Sequence, residues 1–344
     1  MTLWPRCSRL ILKTNFVGLG FHLCNARLAP GVAIQLSLYS SGYKFAMKRT
    51  LILFVCLSCL LAACRNEKDT SGNARLFERS NLVAWCVIPY DSTERTPEER
   101  AQMLSELGFS KFAYDWRLQH LDSFADEVKA LRRMNIEMTS VWFWVNGEEG
   151  KVIDDVNERI LNMIRENNVR PELWVCFNNS YFEELNDEAK LGKAVSAVRY
   201  IRERAHELGC SVALYNHGDW FGEPENQVKI IEELGTGDVG IVYNFHHARH
   251  QAERFPELLQ MMLPYLSTVN LNGMSPDGPM ILPLGKGELE LGMLKTLKAS
   301  GYNGAIGILG HVEDADVRVI LDGNLEGLKS LLKEMGDTGA LASY

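Results

Sequence analysis

Histidine and asparagine recur at the ends of short apolar runs, and that pairing is the first chemical signal in the chain. Val239-Gly-Ile-Val-Tyr-Asn-Phe-His-His-Ala248 is the fullest case: a run that fits a buried strand leads straight into Asn244, His246 and His247. Val212-Ala-Leu-Tyr-Asn-His-Gly218, Thr268-Val-Asn-Leu-Asn-Gly273 and Ile306-Gly-Ile-Leu-Gly-His311 repeat the pattern. Imidazole titrates near neutrality, so His217 or His247 could take a proton as a general base. Asp115 or Glu223 could be the acid or the orienting partner. The amides of Asn178, Asn216, Asn244, Asn270 and Asn272, with His246, could hold hydroxyls or a developing enolate. Trp116, Trp142 and Trp220 offer flat apolar faces to the C–H faces of a sugar ring. His217, His247 and His311 could instead hold a metal, since imidazole suits zinc, cobalt or nickel, although their spacing follows no fixed motif.

Plainer readings stand beside these. Trp142 and Trp144 are two apart, so they share one face of a strand and suit barrel filling as well as stacking. His246 and His247 point to opposite faces if the strand continues through them, so only one would reach the mouth. Asp115 could pair with Arg117 or cap the next helix. No Ser-His-Asp set is legible, and Gly285-Lys-Gly287 lacks the Ser or Thr that a phosphate-cradling loop would place next.

Residues placed this way need strands that all end on one face. Leu82–Ile88, Lys111–Trp116, Glu137–Trp144, Glu172–Phe177, Ser211–Asn216, Val239–Asn244, Ser267–Leu271 and Ala305–Leu309 read as strands. Amphipathic helical stretches separate them. Thr96-Pro-Glu-Glu99 opens the first with an N-cap Thr, a Pro at the first position and a Glu three residues after the cap. Strict alternation implies parallel strands with crossover helices. The expected fold is a single α/β (β/α)8 TIM barrel over residues 81–336, with its site at the strand C-termini. A doubly wound open sheet competes. The barrel is preferred because Trp85-Cys-Val-Ile-Pro-Tyr90 stands where a glycine-rich phosphate turn would be.

The N-terminal region reads differently. Met47-Lys-Arg49 is a basic start, Leu51 to Leu61 a short apolar run, and Leu61-Ala-Ala-Cys64 a small-residue cleavage box. That run is shorter than the roughly 20 residues a membrane span needs. The box resembles that of bacterial lipoproteins, with Cys64 the lipidated residue. Residues 1–46 then read as an upstream extension from a misplaced start codon, 47–64 as the signal, 65–80 as a tether and 337–344 as a tail. An organelle transit peptide is the alternative, since residues 1–64 contain no acid. Beyond Cys64 the chain carries 29 basic and 44 acidic residues. Such an acidic surface argues against nucleic acid, which needs clustered Lys and Arg. The expected location is extracytoplasmic, with membrane contact through the lipid anchor only. Cys86, Cys176 and Cys210 are an odd, scattered trio and no disulfide framework.

The stretch Pro283-Leu-Gly-Lys-Gly-Glu-Leu-Glu290, followed by Gly301-Tyr-Asn-Gly304 before the last strand, resembles a segment of the xylose-isomerase-like TIM barrels, the sugar phosphate isomerase/epimerase family. Asn216-His217-Gly218 resembles that family's Glu-Asn-His-Gly on strand five, and Asn244-Phe-His-His247 its Asp-x-x-His on strand six. The resemblance covers residues 81–335 and looks closest to secreted bacterial members. It implies a sugar isomerase, epimerase or related lyase that abstracts a proton next to a carbonyl. The alternative is a non-catalytic carbohydrate-binding lipoprotein on the same scaffold. It also implies one divalent metal, yet the four ligand positions fall on Tyr215, Asn244, Asn270 and Leu309, where no carboxylate or imidazole stands. Only His247 survives by type. A free or keto-sugar is the expected substrate, because sugar phosphates are scarce outside the cytoplasm.

Replacing the box residue tests the anchor. Cys64→Ala should leave an unlipidated precursor and move the protein from the membrane fraction to the soluble one. Membrane association that survives the change would remove the lipoprotein reading.

Overall fold

The computed structural model describes residues 76–147 and 150–344. The signal, Cys64 and the tether up to residue 75 lie outside the described residues. Eight strands alternate with eight helices: β1 (Leu82–Trp85), α1 (Pro97–Glu106), β2 (Lys111–Tyr114), α2 (Phe124–Arg133), β3 (Glu137–Val145) and α3 (Asp155–Glu166). Then come β4 (Glu172–Phe177), α4 (Asp187–Glu207), β5 (Ser211–Tyr215), α5 (Pro224–Leu234), β6 (Val239–Asn244), α6 (Phe255–Met262), β7 (Leu266–Leu271), α7 (Glu290–Ala299), β8 (Ala305–Leu309) and α8 (Val317–Met335). The strands close in chain order, and β1 pairs in parallel with β8, so the sheet has no free edge. The expected (β/α)8 barrel is what the chain forms.

Local chemistry explains several element boundaries. Thr96 accepts from the Glu99 amide, and the Glu99 carboxylate takes the Thr96 amide, so α1 begins with a reciprocal cap. Gly235 and Gly336 end α5 and α8 in the left-handed conformation that glycine adopts without strain. The glycine-rich segment before α7 wraps around one buried carboxylate. Glu290 accepts from the amides of Met274, Gly285 and Gly287 at 3.1, 3.1 and 2.8 Å.

Alternation along the strands builds two cores. Val141, Phe143 and Val145 face the helices with the large outer cluster, while Trp142 and Trp144 pack against the inner one. The inner cluster holds Val83, Trp85, Ala113, Trp174, Cys176, Ala213, Tyr215, Val242 and Leu309. Small residues leave room for the rings. Gly307 is forced by its neighbour: a Cβ there would lie 1.8 Å from Asn270 Oδ1.

Three expectations about extent are corrected. β1 stops at Trp85, because Cys86 turns to φ 55° and Ile88–Tyr90 forms a 3-10 turn. The expected tether ends earlier than residue 80, since Leu76 and Phe77 are fully buried in the outer core. The expected tail is folded as α9 (Thr338–Leu341), which buries Ala340. The two segments meet: Tyr344 donates to the Phe77 carbonyl at 3.1 Å, and the Arg79 amide donates to Ser343 Oγ at 3.0 Å. Apolar residues at 76, 77 and 340 drive this closure, and the polar composition around them hid it.

Phe77→Ala should therefore cost about 3–5 kcal/mol of stability, as core aromatic truncations do. Urea unfolding of the two proteins measures it. An unchanged midpoint would return residues 76–80 to the tether.

Candidate functional site

The strand C-termini surround a pocket of about 360 Å³. β1 and its turn supply Trp85, Cys86 and Tyr90; the end of β2 supplies Asp115, Trp116 and Arg117; β3 supplies Trp142 and Trp144. β5 supplies Tyr215 and His217, β6 and its turn Asn244, His246 and His247, and the loop after β8 His311.

The floor is aromatic. Trp85 meets Trp174 edge-on with centroids 4.7 Å apart, and Trp142 meets Tyr215 edge-on at 4.8 Å. Trp144 stacks on Trp142 at 6.0 Å. Trp85 Nε1 donates to the Tyr215 hydroxyl at 3.1 Å, and Asn244 Nδ2 donates to the same oxygen. Asn244 Oδ1 in turn accepts from the His246 amide at 3.1 Å. Trp116 is fixed by its own Nε1, which donates to the Trp142 carbonyl at 2.8 Å.

One wall is imidazole. His217 and His247 stand 4.5 Å apart by ring centroid, His246 and His247 4.3 Å, and His246 and His311 5.3 Å. Both His246 and His247 face the pocket, against the expectation of opposite faces. The strand ends at Asn244, and Phe245–His247 is a 3-10 turn, so the two-residue alternation no longer applies. Burial pushes His247 down to about 2 and His246 to about 4, with neighbouring imidazoles adding to it. Burial lowers His217 as well. These rings are therefore neutral at physiological pH and poor at holding a proton. Desolvation makes His217 and His247 weaker proton acceptors than a free imidazole, while leaving each in the neutral form that carries a lone pair.

Across from them lies Asp115. Its Oδ1 accepts from the Val87 and Ile88 amides at 3.2 and 3.3 Å. Its Oδ2 is buried without a hydrogen-bond partner among the described residues. Burial pushes this carboxyl up to about 6, against the pull of the two amides and of Arg117. A carboxyl that titrates there, in a pocket, has the profile of a general acid–base. Arg117 is not its ion-pair partner in hydrogen-bond terms. It donates to Tyr90 OH at 2.9 Å and to the Trp116 carbonyl at 3.0 Å.

Other expected residues lie elsewhere. Glu223 bonds His250 Nε2 at 3.0 Å and Gln251 Nε2 at 2.8 Å, which pins the turn after β6 and keeps the carboxylate out of the pocket. Asn216 clasps β5 to β6: it donates to the Asn244 carbonyl and accepts from the Asn244 amide at 3.1 and 2.7 Å. Asn272 donates to its neighbour's carbonyl, at Gly273. Asn270 is buried beside Gly307, in register with Asn244, and its amide has no hydrogen-bond partner among the described residues. Asn178 accepts from the Ser180 amide and hydroxyl, and Trp220 packs on Phe182. Both border a separate cleft of about 120 Å³ that His217 also touches. Strand reading missed Trp85, Cys86 and Tyr215 as lining. Tyr215 was findable, being two residues before His217 on one strand.

Neither metal arrangement fits. Tyr215, Asn244, Asn270 and Leu309 supply a phenol, two amides and an alkyl group, and the first two bond each other. Hard divalent ions need carboxylate or carbonyl oxygens in number. His217, His247 and His311 do not converge, since His246 stands between the last two. Among the described residues no three His, Cys, Asp or Glu side chains are placed to hold one ion.

Neither a family model nor a curated protein sequence matches this chain. Solved structures do. The 3-keto-D-glucoside 4-epimerase YcjR from E. coli is 16% identical with a TM-score of 0.56, covering 74% of this chain and 99% of its own. An L-ribulose 3-epimerase is 14% identical with a TM-score of 0.56, over 78% and 98%. A xylose isomerase domain protein from Salmonella typhimurium is 12% identical with a TM-score of 0.56, over 75% and 98%. The likeness establishes a shared (β/α)8 barrel fold.

The Asp115 environment predicts a pH-dependent stability. A carboxyl whose folded pKa is raised from 3.8 to about 6 favours folding fully below its unfolded value and loses that contribution as pH rises through about 6. Asp115→Asn cannot ionise. It should be more stable than the parent at pH 8 by about 2–3 kcal/mol, with the gap closing between about pH 6 and 4. Urea unfolding across that range reads it; a gap independent of pH would show that Asp115 ionises as easily folded as unfolded.

Proposed function

We propose that this chain, a xylose-isomerase-like barrel by fold, is a sugar isomerase/epimerase-type enzyme that removes a proton next to a carbonyl. The Asp115 carboxyl, buried in the lining of a pocket floored by aromatic rings and with one oxygen unpartnered among the described residues, carries the reading. The substrate is a free or oxidised sugar without a phosphate. Arg117 is the one Lys or Arg among the described lining residues, and two of its N–H groups serve Tyr90 and Trp116. The acidic chain beyond Cys64 supports a neutral ligand and argues against nucleic acid. The box at Cys64 supports a lipid-anchored, extracytoplasmic protein.

A sugar ring lies against Trp142 and Trp144, whose faces match its C–H surfaces. β2 and β6 are four strands apart around the closed barrel. Asp115 and His247 therefore reach the ligand from opposite sides. Ionised Asp115 takes the proton from the carbon beside the carbonyl. The C–H pair becomes the new C=C bond, the carbonyl becomes an enolate, and Asp115 returns the proton. The neutral imidazoles of His217, His246 and His247 hold hydroxyl groups, each offering one N–H and one lone pair.

Deuterium wash-in from D₂O measures this step directly, with D-fructose, D-psicose, L-ribulose and methyl 3-keto-β-D-glucopyranoside as probes. Asp115→Asn should lower exchange by roughly 10²–10⁴ with sugar binding kept. The wild-type rate should climb with pH and level off above about 6, as the carboxyl ionises. His217→Gln should act mainly on KM. His206→Gln, on the outer surface beside Asp238, should change nothing. Sugar binding without exchange in the wild type would favour the non-catalytic carbohydrate-binding protein instead.

A further inference from the structure

The Tyr215 hydroxyl has one proton to give and two lone pairs to fill. Trp85 Nε1 can only donate, and it fills one lone pair from 3.1 Å. Asn244 Nδ2 fills the other. That amide cannot be turned over, because its oxygen is held by the His246 backbone N–H at 3.1 Å. The phenol is thus left with its proton alone. No acceptor for it stands among the described residues, and Tyr215 lines the pocket.

We propose that Tyr215 is a catalytic residue whose O–H donates to the carbonyl oxygen of the bound sugar and strengthens as that oxygen becomes an enolate. This rests on the proton-abstraction reading given above. Two donors into the phenol oxygen polarise its O–H and make it a better donor, the cooperative behaviour of hydrogen-bond chains. Burial keeps the phenol protonated well above its ordinary range. Tyr215 and Asn244 also stand at two positions where the family resemblance expects metal ligands. A hydrogen bond from Tyr215 occupies the place where an ion would polarise the carbonyl. In the step itself, the C–H bond breaks and its proton goes to Asp115 Oδ2. The carbonyl π pair moves onto oxygen, and the Tyr215 proton stays on Tyr215 while its hydrogen bond shortens. Reversal restores every bond, with no oxidant or reductant involved.

Tyr215→Phe keeps the ring against Trp142 and Trp174 and removes only the hydroxyl. In the wash-in assay with the same four sugars, kcat for exchange should fall roughly 10²–10³-fold, the range for losing one oxyanion donor, while KM moves by less than about threefold. Added magnesium, manganese, cobalt or zinc should not restore it, and EDTA should leave the wild type unchanged. Should the Phe variant fold poorly, 3-fluorotyrosine at 215 is close in shape and a stronger donor, and it should keep exchange at or above the wild-type rate. Wild-type exchange in Tyr215→Phe, a loss confined to KM, wild-type exchange that needs an added ion, or a collapse of exchange with the fluorotyrosine would each overturn the proposal. In those cases Asp115→Asn still reports on the base separately. Absence of exchange in the wild type with every probe would remove the functional reading and this proposal together.

Discussion

The interior of this barrel is closed by aromatic rings, and the pocket exists because those rings cannot fill it to the top. Trp85 meets Trp174 and Trp142 meets Tyr215 edge-to-face, as ring quadrupoles favour, and tilted contacts join Trp85 and Trp174 to Tyr215. Barrels of this kind are more often filled by layers of branched aliphatic side chains. Rings of this size need partners without bulk, and Ala113, Ala213, Gly240 and Gly307 provide them on the facing strands. The result is a rigid floor with polar edges. Trp85 Nε1 and the Tyr215 hydroxyl are brought into the apolar centre and satisfy one another there. The hydrogen-bond line from Trp85 through Tyr215 and Asn244 to the His246 backbone then ties β1, β5 and β6 together beneath the site.

Desolvation by that packing sorts the titratable groups. It lowers the imidazoles and raises the carboxyl, because removing water disfavours whichever form is charged. Two kinds of side chain that would normally be charged or half-charged near neutrality exchange roles. Asp115 becomes the group that titrates near the working range, at about 6. His246 and His247 become fixed neutral hydrogen-bonding groups. Four neutral rings in one wall are tolerated because none has to carry a proton; two imidazolium charges there would repel each other.

The same strand ends bring four side chains of different chemistry together in the barrel interior. Tyr215, Asn244, Asn270 and Leu309 are inward-facing at neighbouring positions, and β6, β7 and β8 hold them in register through Asn244, Asn270 and Gly307. The Tyr215 phenol and the Asn244 amide bond each other there, while the buried Asn270 amide has no hydrogen-bond partner among the described residues.

The sequence by itself determined the architecture. Apolar runs of strand length, amphipathic helices and caps such as Thr96 with Glu99 are local signals, and local signals survive in a linear string. It also placed His217, His247, Asp115, Trp142 and Asn244 at strand ends that open on one face. Tertiary structure decided what those residues do. Glu223 looked as available as Asp115, but only packing shows that it is spent on His250 and Gln251. The strand run through His246 and His247 looked continuous, but the chain turns at Phe245 and delivers both rings to the pocket. Leu76 and Phe77 read as the end of a tether until they meet Tyr344 from the other end of the chain. Which histidine can hold a proton depends on how much water is excluded around it. That is set by residues scattered over six strands and their loops, and no spacing along the chain encodes it.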